Sequence, residues 1–176
     1  MRTKKIIYTF LTILFLTIAF FATGYLAPES YESEKTAYIQ DNRMDVWKNL
    51  TSLDGIPDRK PNIEKIDVLE ESREGIVWVE NLKNGQQRTV RLAEREIPDY
   101  FVIEVVQADN GLTGRWEYYL SEDVDSGKTL VRIVEKSTNT NLVLRAWHTI
   151  IGRNVNLRRE VKSLQVSLFQ RLLTTR

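Results

Sequence analysis

The stretch TLVRIVEKSTNTNLVLRAWHTII, residues 129–151, changes its period in the middle. Up to Thr140 it alternates, with Val131, Ile133 and Glu135 falling on one face of a strand over residues 130–137. Beyond Thr140 the spacing becomes helical: Leu142, Leu144, Trp147 and Ile151 open a segment that pauses near Gly152. Leu157, Val161, Leu164, Leu168 and Leu172 then recur at intervals of three and four and form one apolar stripe. A strand that hands over to a long terminal helix, both with one apolar face, sets the problem the rest of the chain must solve.

Upstream lie five more apolar-rich runs, over residues 63–69, 76–82, 88–97, 100–107 and 113–121. Asn84-Gly85 and Asp109-Asn110-Gly111 link neighbouring runs, and Asn and Gly accept the positive φ of hairpin turns cheaply. Pro98-Asp99 separates the third run from the fourth, and Asp125-Ser126-Gly127 precedes the sixth. Consecutive hairpins of this kind build a six-stranded antiparallel meander. Before it, residues 34–40 read as a first strand. Asp41 or Asn42 caps a helix carrying Met44, Val46, Trp47 and Leu50 that ends near Asp54-Gly55. Ile56-Pro57 and Pro61 restrict the next element to a short helix or turn. The expected fold class is α+β: a curved antiparallel sheet wrapped around a long C-terminal helix, which buries both apolar faces.

Strand alternation groups Trp78 with Ile76 and Glu80, Trp116 with Tyr118, and Phe101 with Ile103 and Val105. Four Trp and seven Tyr among 176 residues supply amphipathic walls for an apolar pocket with few polar groups, the usual form of a small-molecule site. Trp78, Phe101, Ile103, Trp116, Tyr118, Ile133, Glu135 and Trp147 are the candidate ligand-binding residues. The competing reading makes these aromatics a solid core and leaves Glu80 and Glu135 in solvent or on an Arg partner. If buried, the two carboxyl groups would have raised pKa values.

The chemistry that composition excludes is extensive. Without cysteine there is no disulfide, thiolate site or cysteine nucleophile, and one His leaves no poly-His metal site. Glu80, Glu104, Glu117, Glu135, Tyr118 and His148 are the available acids and bases, but none has an informative spacing with another. There is no Gly-rich phosphate loop. The expectation is therefore no catalytic residue, no cofactor and no metal. The chain is also too short for an α/β barrel and too apolar for disorder, with 42% hydrophobic residues.

The net charge of +1 conceals three regions. Arg2, Lys4 and Lys5 precede 21 uncharged residues, 6–26, which reach about 30 Å as a helix, enough to cross a hydrocarbon core. Thr9, Thr12, Thr17 and Thr23 are tolerable there because each hydroxyl can bond back to a carbonyl one turn earlier. A cleaved signal sequence ending at Ala22-Thr23-Gly24 is the rival to a retained anchor, but signal apolar regions run about 7–15 residues. The basic flank, against Glu29, Glu32 and Glu34 beyond the span, predicts a single-pass cell-membrane protein with a cytoplasmic N-terminus and an extracytoplasmic domain. Residues 27–140 carry 15 basic and 23 acidic side chains, and residues 141–176 carry 7 and 1. The Arg153, Arg158, Arg159 and Lys162 cluster either rests on anionic headgroups or is a solvated face balancing the acidic body. Basic residues are not interleaved with exposed aromatics, so no nucleic-acid partner is expected. The expected layout is an anchor over residues 1–26, a linker over 27–33 and one domain over 34–176.

From Glu34 to Leu173 the chain resembles the helix-grip superfamily, which includes START (SRPBCC) lipid-transfer domains, birch-pollen-allergen-type proteins and polyketide cyclase/dehydrase-like proteins. The resemblance is carried by Asp45-Val46-Trp47-Lys48-Asn49-Leu50 with residues 53–57, by residues 63–70, by Glu94-Arg95-Glu96-Ile97-Pro98-Asp99-Tyr100-Phe101-Val102, by Gly114-Arg115-Trp116-Glu117-Tyr118, and by Leu130-Val131-Arg132-Ile133-Val134-Glu135. It departs at Asp58-Arg59-Lys60-Pro61-Asn62, where the family usually has a bulky residue such as Trp. The resemblance implies a cavity between sheet and C-terminal helix that binds a lipid, a polyketide-like molecule or another hydrophobic ligand. A cyclase/dehydrase-like enzyme and an interaction domain filled by its own aromatics are the alternatives.

Overall fold

Hairpin after hairpin, the meander lies in the sheet in the order in which it runs in the chain. The computed structural model describes residues 2–71, 75–124 and 126–174, with side chains for residues 4–71, 75–124 and 126–165. Helix α1 (Arg2–Leu26) leads into strand β1 (Ser30–Ile39), followed by the short helices α2 (Arg43–Thr51) and α3 (Ile56–Arg59). Then come β2 (Ile63–Glu71), β3 (Ile76–Leu82), β4 (Gln87–Glu96), β5 (Tyr100–Ala108), β6 (Leu112–Asp123) and β7 (Lys128–Asn139). Helices α4 (Leu142–Ile151) and α5 (Val155–Thr174) close the chain. The seven strands form one sheet, ordered β1-β7-β6-β5-β4-β3-β2, with every pair antiparallel. This is the α+β helix-grip arrangement that the period change at Thr140 leads one to expect.

Local chemistry accounts for the boundaries. The Asn42 side chain accepts the Asp45 amide at 3.0 Å and starts α2, while Asn141 accepts the Val143 and Leu144 amides at 3.0 and 3.2 Å and starts α4. Gly85 and Gly111 turn their hairpins at φ of 82° and 75°, where a Cβ would be strained. Register shifts in β2–β3 and β4–β5 bend the sheet, as bulges do. Strand β1 begins at Ser30, so it takes in four residues that the sequence assigns to the linker. The reason is its place: β1 is an edge strand with mostly exposed residues, and polar side chains there carry no strand signal. The Asp125 turn position and the side chains of Leu168 and Leu172 lie outside the described residues.

The concave face holds the core. Trp47 from α2 meets Phe101 edge-on at 5.2 Å, and Phe101 stacks on Tyr118 at 4.3 Å between centroids. Leu157, Val161 and Leu164 of α5 are buried against the same cluster, together with Val131, Ile133 and Trp78. The convex face is sealed differently. Buried Val102 and Val134 flank Glu117 across the ladder, and Arg115 and Lys136 bridge Glu117 at 3.1 Å each. Arg115 also reaches Glu94 and Glu104, and Arg91 pairs with Glu104. These hydrogen bonds, led by that from Arg91, hold the Glu104 carboxyl below its ordinary value.

Candidate functional site

Pleating brings seven of the eight candidate residues to one surface. In the observed register Trp116 faces Glu135, Tyr118 faces Ile133 and Phe101, and Ile103 faces Trp116 and Leu92. Trp78 joins them through Val90. Trp78, Phe101, Ile103, Trp116, Tyr118, Ile133 and Glu135 therefore share the concave face. Trp147 does not belong to the set: it is 51% exposed on α4, outside the sheet–helix interior. Helix α4 is apolar on more than one side because it packs against α1, and the period alone does not say which side meets the sheet.

Two of the carboxylates within this interior, Glu80 and Glu135, come from the sheet, and their partners differ. Glu80 is buried, accepts the Trp78 indole N–H at 3.3 Å and forms an ion pair with Arg88. Glu135 is fully buried and has no cationic partner among the described ion pairs; its Oε1 accepts the Tyr31 hydroxyl at 2.8 Å and the Ser137 hydroxyl at 2.9 Å. Its Oε2 is buried without a hydrogen-bond partner among the described residues. Burial pushes the Glu135 carboxyl above its ordinary value of 4.5, against the hydrogen bonds of Tyr31 and Ser137. Burial and the adjoining Glu135 likewise raise the Tyr31 phenol, which stays protonated and donates. A third polar group crosses the middle of the interior: the Tyr118 hydroxyl donates to Glu160 of α5 at 3.3 Å, and Glu160 pairs with Lys60 at 3.2 Å.

The other acids and bases lie elsewhere. Glu104 and Glu117 belong to the convex network. His148 sits at the α4 end of the concavity, its ring 6.3 Å from that of Tyr31 and edge-on to it. Burial, then Arg159 and Arg153, lower its pKa. Tyr31, Ser137 and Glu160 are interior residues that the sequence does not single out, and it marks Trp47 only as an apolar position of the first short helix. Tyr31 falls in the expected linker, and its partner Glu135 is 104 residues away.

Among the described residues the expected cavity is largely closed. A void of about 20 Å³ remains between α2–α3 and the sheet, bounded by Leu50, Leu53, Ile56, Trp78, Leu92 and Ile103. A second, of about 10 Å³, adjoins Tyr31, Asn139, Arg145 and His148. Small-molecule sites occupy roughly 300–1,000 Å³. Trp47, Phe101 and Tyr118 fill the space where such a site would be.

By sequence the chain matches no protein-family model and no curated protein. By structure it is similar to the ZhuI aromatase/cyclase from Streptomyces sp. R1128, with a TM-score of 0.68 and 13% identity over 81% of this chain and 96% of that one. The XoxI protein from Bacillus cereus gives a TM-score of 0.60 at 18% identity, covering 77% and 94% of the two chains. A START superfamily protein from Mycobacterium smegmatis gives 0.60 at 13%, covering 79% and 97%. At these identities the likeness establishes the helix-grip fold.

Proposed function

We propose that this chain is a membrane-tethered binding module that takes one apolar small molecule between the concave face and helices α2, α3 and α5. The observation that carries the reading is Glu135 Oε2, a buried carboxylate oxygen without a partner in an aromatic interior. Leaving such a group unpaired costs about 1–3 kcal/mol, a cost that an aliphatic side chain would avoid. Apolar sites keep a few fixed polar groups of this kind to orient a ligand. The polar end of the ligand would meet Oε2, and its apolar body would displace α2–α3 from Trp78 and Ile103 and enlarge the void there. Helix α1, apolar over 23 residues from Lys4 to Leu26 and mostly exposed, would hold the module at the bilayer where such molecules dissolve.

The closed volume favours a second reading, an interaction domain whose interior is filled by its own side chains. The two separate in a titration. The full chain in nanodiscs is titrated with a fluorescent planar polyaromatic that carries a hydroxyl group, with empty nanodiscs as the blank. Saturable binding of one probe per chain, weakened about tenfold by Glu135→Leu, corresponds to about 1.4 kcal/mol from the polar handle. Signal equal to the blank supports the filled interior.

A further inference from the structure

Helix α4 has one side that the domain leaves open. Leu142, Val143, Trp147 and Ile150 are 41%, 47%, 51% and 59% exposed, and Val143, Trp147 and Ile150 repeat at helical spacing. The opposite side is fixed. Arg145 is 8% exposed, and its Nε and Nη2 donate to the Gly24 carbonyl at 2.9 and 2.8 Å. Its Nη2 also reaches the Tyr25 carbonyl at 3.3 Å, and its Nη1 pairs with Glu29 at 2.7 Å. One guanidinium thus satisfies carbonyls that the end of α1 leaves unpaired. The backbones also approach closely: a Cβ on Gly24 would run into the Leu142 carbonyl oxygen and lie 3.2 Å from Ala146 Cβ.

We propose that α4 lies in the bilayer interface, with Leu142, Val143, Trp147 and Ile150 in lipid beside the outer end of α1. This rests on the reading of α1 as a membrane span. Three observations choose lipid as the occupant. Helix α4 packs on the last turn of α1, where Arg145 bonds the Gly24 and Tyr25 carbonyls, and the neighbouring Tyr25 and Leu26 side chains are 76% and 80% exposed. Its centre is a Trp, the residue type that gathers at membrane–water boundaries. No acidic residue occurs in α4, and the only one in α5 is Glu160, which is turned inward to Lys60 and Tyr118. Arg158, Arg159 and Lys162 follow and are exposed, while Arg153 lies over the Tyr31 ring, and basic residues beside an apolar helical face meet anionic headgroups. Helix α4, ten residues long, would add about 15 Å of in-plane contact to the anchor and fix the tilt of the domain on the membrane.

The absence of cysteine makes the test direct. Single substitutions Val143→Cys, Trp147→Cys and Ile150→Cys are labelled with an environment-sensitive dye in the full chain, reconstituted in phosphatidylcholine–phosphatidylglycerol vesicles. Phe15→Cys reports on the span and Glu122→Cys on exposed domain surface. The expected result is bromolipid quenching at Phe15 and at all three α4 sites, with iodide quenching there about threefold or more below that at Glu122. Iodide access at the α4 sites equal to Glu122, with Phe15 in lipid, overturns the inference and leaves the span intact. Iodide access at Phe15 as well overturns the span and the inference with it.

Discussion

Replacing Glu135 by Gln tests the interior chemistry through pH. The amide keeps the volume of the carboxyl and an oxygen for Tyr31 and Ser137, which bond Oε1 at 2.8 and 2.9 Å, but it cannot ionise. In the wild type, burial raises the Glu135 pKa above 4.5. The folded state therefore holds this proton more tightly than the unfolded state does. Its contribution is fully present below the unfolded value near 4.5 and is lost as pH rises through the folded value. The wild-type stability minus that of Glu135→Gln should fall with pH from about 4.5 upward, at no more than about 1.4 kcal/mol per pH unit for a single proton, and then level off. His148 titrates in both proteins and cancels from the difference. Glu135→Leu is the companion: it strands the Tyr31 and Ser137 donors and should cost about 1–3 kcal/mol for each at every pH. Chemical denaturation in detergent at half-unit steps from pH 4 to 8 reads both. A flat difference between wild type and Glu135→Gln, or one that rises with pH, would refute a desolvated carboxyl in the interior.

Three further outcomes follow from the packing. Phe101→Ala empties the space between Trp47 and Tyr118 and should cost about 3–5 kcal/mol in denaturation; a loss under about 1 kcal/mol contradicts the central stack. Glu80→Ala leaves Arg88 uncompensated at a side chain only 21% exposed, with an expected loss of about 3 kcal/mol, and an unchanged midpoint contradicts the buried pair. Gly24→Val pushes α4 away from α1. A local cost of about 1 kcal/mol should speed tryptic cleavage at Arg145 about fivefold, and unchanged cleavage contradicts the close approach.

The strand order was legible because each hairpin carries its own local signal, with Gly85 and Gly111 marking turns that few other residues make. Which residues share a face was legible for the same reason: alternation is local, and Trp78 with Glu80, Phe101 with Ile103 and Trp116 with Tyr118 fall together as period two places them, but which face turns inward was not legible. Long-range features were not. Glu135 stays open in the sequence between an interior ligand-binding acid and a solvated or Arg-paired one, because its partner Tyr31 comes from an edge strand that looks like linker. Trp147 reads as a ligand-binding residue because an apolar helix does not announce which of its sides meets α1. The near absence of a void depends on how Trp47, Phe101 and Tyr118 interlock, and that is set by rotamers from three elements, not by any stretch of sequence.

An apolar ligand between α2–α3 and the sheet would be caught by photo-leucine, which is close to leucine in size and fits Leu53 and Leu92 at the wall of the void. The full chain is made with photo-leucine in its native membrane, irradiated, digested and sequenced by mass spectrometry, and only adducts on the peptides carrying residues 53 and 92 are scored. One recurring small apolar adduct is expected at these positions, lost in Glu135→Leu. Cross-links from Leu53 and Leu92 only to other residues of the same chain, such as Trp78 or Ile103, would contradict it.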